Sequence, residues 1–483
     1  MHQQTLTLTL NPHVPTPNYG TRFSPPLFIQ NPRLRIPNLR TSCAVRSNNH
    51  VPVNNGVGVN VFEDDDCRLF PFGLGGEKEV DVATLGNLCV DVVLSVDELP
   101  PLGFDERKEY MEHLAKTPPD KKYWEAGGNC NMAIAAARLG LRCNTIGHIG
   151  NEIYGKFLLD VLRDEGINVI EMREEDDTID TSSRSEYETL LCWVLVDPLQ
   201  RHGFCSRADF SKEPAFAWMK TLSDEVKSNI EKSKVLFCNG YGFDELPAGL
   251  ISSALEYAVE VNTSIFFDPG PKGKSLAVGT PEEQDALAKL LRFSDVLLLT
   301  SEEAESITGL RNPIAAGKEL LSKGVRTKWV IIKMGSKGSV LITRSGISCA
   351  PSFKVNVMDT VGCGDSFVAA IAYGYIHNMP LVHTLTIANA VGAATATGCG
   401  AGRNVARLQE VVRLIKEANI NEDDDFWNKL LDEISNKEDI TILSKTTVNG
   451  IKNRFFNLVN LQKVVGEVLH KLEAALADGI LSS

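Results

Sequence analysis

The chain has 483 residues, enough for about three domains or for one large domain with additions. Its 62 acidic residues outnumber the 49 basic ones, and the net charge of −13 argues against direct binding to nucleic acid or to an anionic membrane surface. Hydrophobic residues at 43% and charged ones at 23% exclude collagen-like, low-complexity and wholly disordered chains, and no run approaches the roughly 18 apolar residues of a membrane span.

No Asp or Glu precedes Glu63, whereas Arg22, Arg33, Arg35, Arg40 and Arg46 do, among many Ser and Thr and with no apolar h-region. That start predicts an organelle transit peptide over 1–46 and a disordered linker over 47–77. Its Pro and Ser content favours the chloroplast stroma, with the mitochondrion as the alternative. From residue 80 to about 416, short apolar runs alternate with longer helical ones. Strands are predicted at 80–85, 143–146, 190–196, 235–238, 264–267, 296–299 and 329–332. Helices are predicted at 131–139, 155–163, 246–259, 281–291, 302–308, 314–322 and 365–377. This alternation predicts a doubly wound α/β domain over 78–418, with a mainly parallel sheet and ligands outside the carboxyl ends of its strands.

Two polar stretches, 95–125 and 181–211, break the alternation and are predicted to form a small lid. Past Asn421 an acidic run, Glu422 to Asp425, opens a tail over 419–483 that is predicted to be helical. Ile451, Phe455, Phe456, Leu458, Val459, Leu461, Val464, Val465, Val468 and Leu469 give it an amphipathic stripe, which packs on its own domain or receives a protein partner. The eleven cysteines form no C-x-x-C pair and the nine histidines no finger-like spacing, so a structural zinc site is not expected.

The strongest chemical signal is Asp359-Thr360-Val361-Gly362-Cys363-Gly364-Asp365 before an apolar helix. Gly362 and Gly364 allow a tight turn that presents backbone N–H groups at a helix start, a geometry that binds phosphate. Asp365 then stands where phosphoryl transfer needs a base, although an Asp at a helix start also reads as a cap. A second signal, Ala126-Gly127-Gly128-Asn129-Cys130-Asn131, leads into a small-residue helix.

Together these stretches resemble the two signature regions of the PfkB (ribokinase-like) family of sugar and nucleoside kinases, over about two thirds of the chain. The resemblance implies a ribokinase-like fold: a doubly wound, mainly parallel sheet flanked by helices, with a small β lid. It implies transfer of the γ-phosphate of ATP, with Mg²⁺, to a hydroxymethyl group of a small sugar or nucleoside, Asp365 acting as general base. Asp91, Gly127, Gly128 and Asn131 take the substrate-binding places. Gly362, Cys363 and Gly364 form the anion hole, and Lys333, Gly335, Gly338 and Asn389 lie on the nucleotide side. Glu303 falls on the glutamate that organises Mg²⁺ and its waters, but Thr300 stands where the family usually has Asn. Asp359 falls where several members bind a monovalent cation, such as K⁺. Cys363 replaces the usual alanine of the anion hole, and with Cys89 and Cys130 it raises the idea of redox control, against the plainer reading of three small core residues.

The resemblance extends to plant plastid-type members that act as partners in plastid gene expression or photosynthetic development, so a catalytically weak or inactive partner protein is the alternative. A dimer or a protein partner would then use the lid or the tail. Aromatic residues in the lid stretches, Phe104, Tyr110, Tyr123, Trp124, Phe204 and Phe210, could stack on a nucleoside base or pack a small core of their own.

Overall fold

The computed structural model describes residues 78–172, 188–433, 439–445 and 456–481, apart from 102, 117, 118, 200 and 212, with side chains to residue 474. The expected transit peptide and linker, lid residues 181–187, and tail residues Ile451 and Phe455 lie outside the described residues. The strands are β1 (Val80–Leu85), β2 (Leu88–Ser95), β3 (Trp124–Gly128), β4 (Cys143–Gly147), β5 (Asn168–Glu171), β6 (Leu190–Val196), β7 (His202–Ser206) and β8 (Ser233–Asn239). They continue with β9 (Ser264–Asp268), β10 (Val296–Thr300), β11 (Trp329–Lys333), β12 (Ser339–Ile342), β13 (Ile347–Ala350), β14 (Ile440–Ser444) and β15 (Phe456–Asn460).

One sheet runs β15-β14-β13-β12-β11-β10-β9-β8-β1-β4-β5. Its pairs are parallel except β11 with β12 and β12 with β13. The inner strands are apolar without a break because helices cover both faces. In β10, Val296 and Leu298 face one core while Leu297 and Leu299 face the other, all fully buried. The first core packs helices Asn129–Arg138, Cys363–Ile376 and Leu381–Thr395; the second packs Ala248–Glu260, Pro281–Phe293 and Pro313–Lys323. Each buried Leu or Val contributes about 1.5–3 kcal/mol, so this sheet is a stiff base for the site at its carboxyl ends. Helix starts are set locally. Thr280 Oγ1 accepts the Glu283 N–H at 3.2 Å, Glu283 Oε2 accepts the Thr280 N–H at 2.7 Å, and Pro281 supplies the first helical φ.

A second sheet, β3-β2-β6-β7, forms the lid. The polar stretch 181–211 holds β6 and β7, but 95–125 reaches this sheet only at its two ends. The middle of 95–125 is the charged helix Phe104–Ala115, in which only Met111 is buried, while β2 and β3 lie at the edges of the stretch. Charged side chains at half of its positions suit a solvated helix and leave no alternating face for a strand.

The tail is not helical throughout, which corrects the expectation for 419–483. Ile440–Ser444 pairs in parallel with β13, Ile347 opposite Ile440, and Phe456–Asn460 pairs in parallel with β14. Ile440-Thr441-Ile442 and Phe456-Asn457-Leu458 alternate at a period of two, and the helix begins only at Leu461. Leu461, Val464, Val465, Val468 and Leu472 of that helix are buried in the first core. Its apolar stripe is therefore covered by the chain itself.

Candidate active site

Where β1 ends, the chain must leave the main sheet and enter the lid. Gly86 and Asn87 make that turn with φ of 69° and 54°. Asn129 fixes the turn, its Nδ2 donating to the carbonyls of Leu85 at 3.0 Å and Gly86 at 2.7 Å. Glu245 fixes it from the other side, its Oε2 accepting the Asn87 N–H at 2.5 Å. Burial first, then the charge of Asp244, pushes the Glu245 carboxyl well above the usual range.

Past this turn β2 carries Asp91 into a cavity of about 450 Å³ that also meets Asn131, Gly128, Gly362 and Asp365. Asp91 is 6% exposed. A Cβ on Gly127 would stand 2.1 Å from Asp91 Oδ1, and one on Gly128, whose φ is 58°, would stand 2.1 Å from the Asn87 carbonyl oxygen. The two glycines are thus required by how closely β3 passes the Asp91 strand. Burial raises the Asp91 carboxyl to about 7, with the charges of Asp365 and Glu125 adding to the shift and a Cys89 hydrogen bond opposing it.

Asn131 links both signature loops. It hydrogen-bonds the Asp365 carboxylate, and its Oδ1 accepts the Gly402 N–H at 2.8 Å. Gly362, at φ 73°, precedes the helix Cys363–Ile376, whose first N–H groups have no partner within the helix. A Cβ on Gly362 would stand 2.8 Å from the Ala401 Cβ. Burial raises the Asp365 carboxyl to about 6, and the charge of Asp268 adds to this against Lys333 and Asn131. Such a carboxyl is ionised at neutral pH yet basic enough to take a proton.

Asp268 closes β9, Thr300 closes β10 and Lys333 closes β11. Lys333 Nζ lies 2.5 Å from Asp268 Oδ2, and both side chains are largely buried. Burial alone would lower the lysine, but the charges of Asp268, Glu303 and Asp365 hold it above its usual range. Thr300 and Glu303 form a reciprocal cap, Glu303 Oε2 accepting the Thr300 N–H at 2.7 Å and Thr300 Oγ1 accepting the Glu303 N–H at 3.2 Å. Burial and then the charge of Asp268 raise Glu303, so the two carboxylates repel each other and fit a hydrated divalent cation.

Other expected site residues are placed differently. The Asn389 Nδ2 donates to the carbonyls of Ala350 at 2.9 Å and Pro351 at 3.3 Å, and its Oδ1 accepts from Ser339 Oγ at 3.0 Å. It pins β12 and β13 to a helix and has no group left for a nucleotide. Gly338, at φ 106°, is held by a tight turn in which a Cβ would meet the Ala350 oxygen at 2.1 Å; Gly335 is open. Asp359 Oδ1 lies 2.6 Å from His202 Nε2 on lid strand β7 and accepts the Val361 N–H at 3.0 Å, while Oδ2 accepts the Gly400 N–H at 2.6 Å. Burial would raise this carboxyl, yet His202 and the two N–H groups hold it below its usual range. Cys363 is raised to about 12 and Cys89 and Cys130 are raised further, in each case chiefly by burial. Protonated thiols are poor nucleophiles, which favours the plainer reading of three small residues over redox control.

Sequence reasoning missed Asp268, His202, Arg403 and Glu245. Asp268, at the end of a β-strand and before Pro-Gly, carried a signal. His202 and Arg403 did not, because their partners are distant in sequence. Arg403 Nη2 donates to Glu125 Oε1 at 2.9 Å and its Nε to Oε2 at 3.1 Å, a second tie between lid and anion-hole side.

The profile of the pfkB family carbohydrate kinases matches residues 81–407. Fructokinase-1 of Zea mays is 27% identical over 323 residues, covering 63% of this chain and 92% of that protein. The 5-dehydro-2-deoxygluconokinase of Bacillus thuringiensis subsp. konkukian is 26% identical over 330 residues, covering 66% and 90%. Among solved structures, a putative ribokinase II from E. coli in complex with ATP and Mg²⁺ superposes with a TM-score of 0.55 at 20% identity, over 70% of this chain and 99% of that one. Arabidopsis thaliana ribokinase complexed with ribose and ATP gives 0.52 at 19% identity, over 69% and 98%.

Proposed function

This chain belongs to the pfkB family of carbohydrate kinases, and we propose that it transfers the γ-phosphoryl group of ATP to a hydroxymethyl group of a sugar. The observation that carries this reading is Asp365, raised to about 6, in the first turn of the helix Cys363–Ile376 and lining, with Gly362 and Asn131, the cavity that holds Asp91. Asp91 and Asn131 orient the sugar hydroxyls. Asp365 takes the hydroxyl proton as the sugar oxygen bonds to the γ-phosphorus and the bond from that phosphorus to the bridging oxygen of ADP breaks. The N–H groups of Gly364 and Asp365 bind the phosphoryl oxygens as charge shifts between them. Asp268 and Glu303 would hold Mg²⁺ through its waters, and the ion would neutralise the triphosphate. A monovalent cation beside Asp359 would have to compete with His202, Val361 and Gly400 for the carboxylate, and the mechanism uses none. The acid-free leader over 1–46 supports a plastid destination.

The test is a phosphotransfer screen of the chain with ATP against neutral sugars, sugar acids and nucleosides. Turnover on a sugar is expected, with Asp365→Ala lowering kcat by about 10³-fold. Turnover on nucleosides alone would change the substrate class. No turnover on any substrate would move the chain to the partner-protein alternative.

A further inference from the structure

The anion site has a charge problem that its backbone does not solve. A helix start carries only about half a positive charge, and the surroundings here are acidic: Asp365 is in the first turn, and Asp268 and Glu303 stand close by. The cation that acts on Asp365 is Lys333. It is anchored at the end of β11, opposite Thr300 of β10, and its ammonium group is at present paired with Asp268.

Gly364 supplies the second observation. Unlike Gly362, it has no positive φ, so its backbone would accept a side chain. A Cβ built there meets Lys333 Nζ at 3.8 Å and nothing nearer. The missing side chain therefore leaves an open path between the ammonium group and the N–H groups of the helix start.

Resting on the kinase reading above, we propose that Lys333 Nζ leaves Asp268 when ATP arrives and binds oxygens of the γ-phosphoryl group, making Lys333 a catalytic residue of the transfer. Its three N–H donors are the point-charge complement to the fixed backbone donors on the other side of the phosphoryl. Asp268 serves as the place where the ammonium group waits in the absence of nucleotide. It thereby keeps a buried lysine charged, which an apolar site would not.

The test compares ATP with ADP, which differ by the group that Lys333 is assigned to hold. Binding of each is measured by calorimetry in excess Mg²⁺. The double variant Lys333→Met, Asp268→Asn is used so that no lone buried carboxylate remains, with Asp268→Asn alone as its reference. Against that reference ATP is expected to bind about 20-fold more weakly and ADP less than about threefold, while Lys333→Arg keeps ATP within about fivefold of the wild type. Equal weakening of ATP and ADP, or no weakening of ATP, overturns the assignment. A chain that shows the expected ATP-specific loss but transfers no phosphoryl group would end the kinase reading and support the Lys333 contact. A wild type that binds neither nucleotide ends both.

Discussion

At the sugar end of the cavity, recognition is built from buried side chains: Asp91 on β2, Glu245 behind the turn at Asn87, and two glycines over which the strands nearly touch. At the phosphate end it is built from backbone, the first N–H groups of the helix Cys363–Ile376, with side chains at the border. The two ends respond differently to change. A side-chain wall packed to contact tolerates no added atom, whereas a helix start keeps its donors whatever small residue stands there. Carboxylates at both ends are raised chiefly by burial, and different neighbouring charges add to it, Asp365 and Glu125 at Asp91 and Asp268 at Asp365.

The largest expected effect sharpens this contrast at its chemical centre. Asp365→Asn keeps shape and helix start but removes the base, so kcat should fall by about 10³-fold while sugar and ATP affinities change little. In the wild type the active form is the carboxylate, so kcat/KM should rise with pH through about 6 and then level. Asp91 titrates near 7 and should add a second rise in sugar binding over that range. Rate profiles between pH 5 and 8 check this; a flat profile would remove Asp365 from its role.

Next comes a pair of glycine substitutions, one at each end. Gly127→Ala places a methyl 2.1 Å from Asp91 Oδ1, deep in the cavity wall. Sugar affinity should fall by about 100-fold, because either Asp91 or the β3 strand must move. Gly364→Ala meets only the Lys333 ammonium at 3.8 Å and should cost sugar binding nothing measurable. Equal losses of sugar affinity in the two variants would break the distinction between a packed wall and an open helix start.

Asp91→Asn separates stability from binding. The folded chain holds the Asp91 proton up to about pH 7, against 3.8 for a free carboxyl. Its contribution to stability is therefore fully present below about pH 4 and is lost as pH rises through 7. At pH 8 the buried charge costs on the order of 4 kcal/mol. The amide variant should melt a few degrees higher than the wild type at pH 8, show no such gain near pH 4, and bind sugar poorly at both. A lower melting temperature at pH 8 would mean that the carboxylate is stabilised by contacts other than those seen.

The main sheet was legible in the sequence because its inner strands are apolar on both faces, and such runs announce themselves. The lid was read only in part. β2 follows β1 after a two-residue turn, so the two strands look like one strand and its loop until Asn129 and Glu245 are seen to hold the crossover. β14 and β15 were hidden for another reason: at five residues each, they carry a period-two signal too short to stand against the helical pattern that follows. In the site, Asp91, Asn131 and Asp365 lie inside local motifs and were found. Asp268 carried a signal at its strand end before Pro-Gly, whereas His202 and Arg403 act through partners 157 and 278 residues away, a distance over which sequence pattern carries no information.

The smallest effect concerns Cys363, the one departure from the family inside the anion hole itself. If the phosphate end is backbone in character, the side chain between Gly362 and Gly364 has no partner role to play. The thiol is raised to about 12, chiefly by burial and then by the charges of Asp359 and Asp365, so it is neither a base nor a reactive nucleophile at neutral pH. Cys363→Ala should leave kcat and both affinities within about twofold, since alanine keeps the helix start and removes only a sulfur of modest contact. Reduced and mildly oxidised wild-type protein should likewise turn over at the same rate. A loss of more than about tenfold in the alanine variant, or full inhibition by oxidant that the variant escapes, would show that the Cys363 side chain acts where the geometry assigns the work to the backbone N–H groups and Lys333.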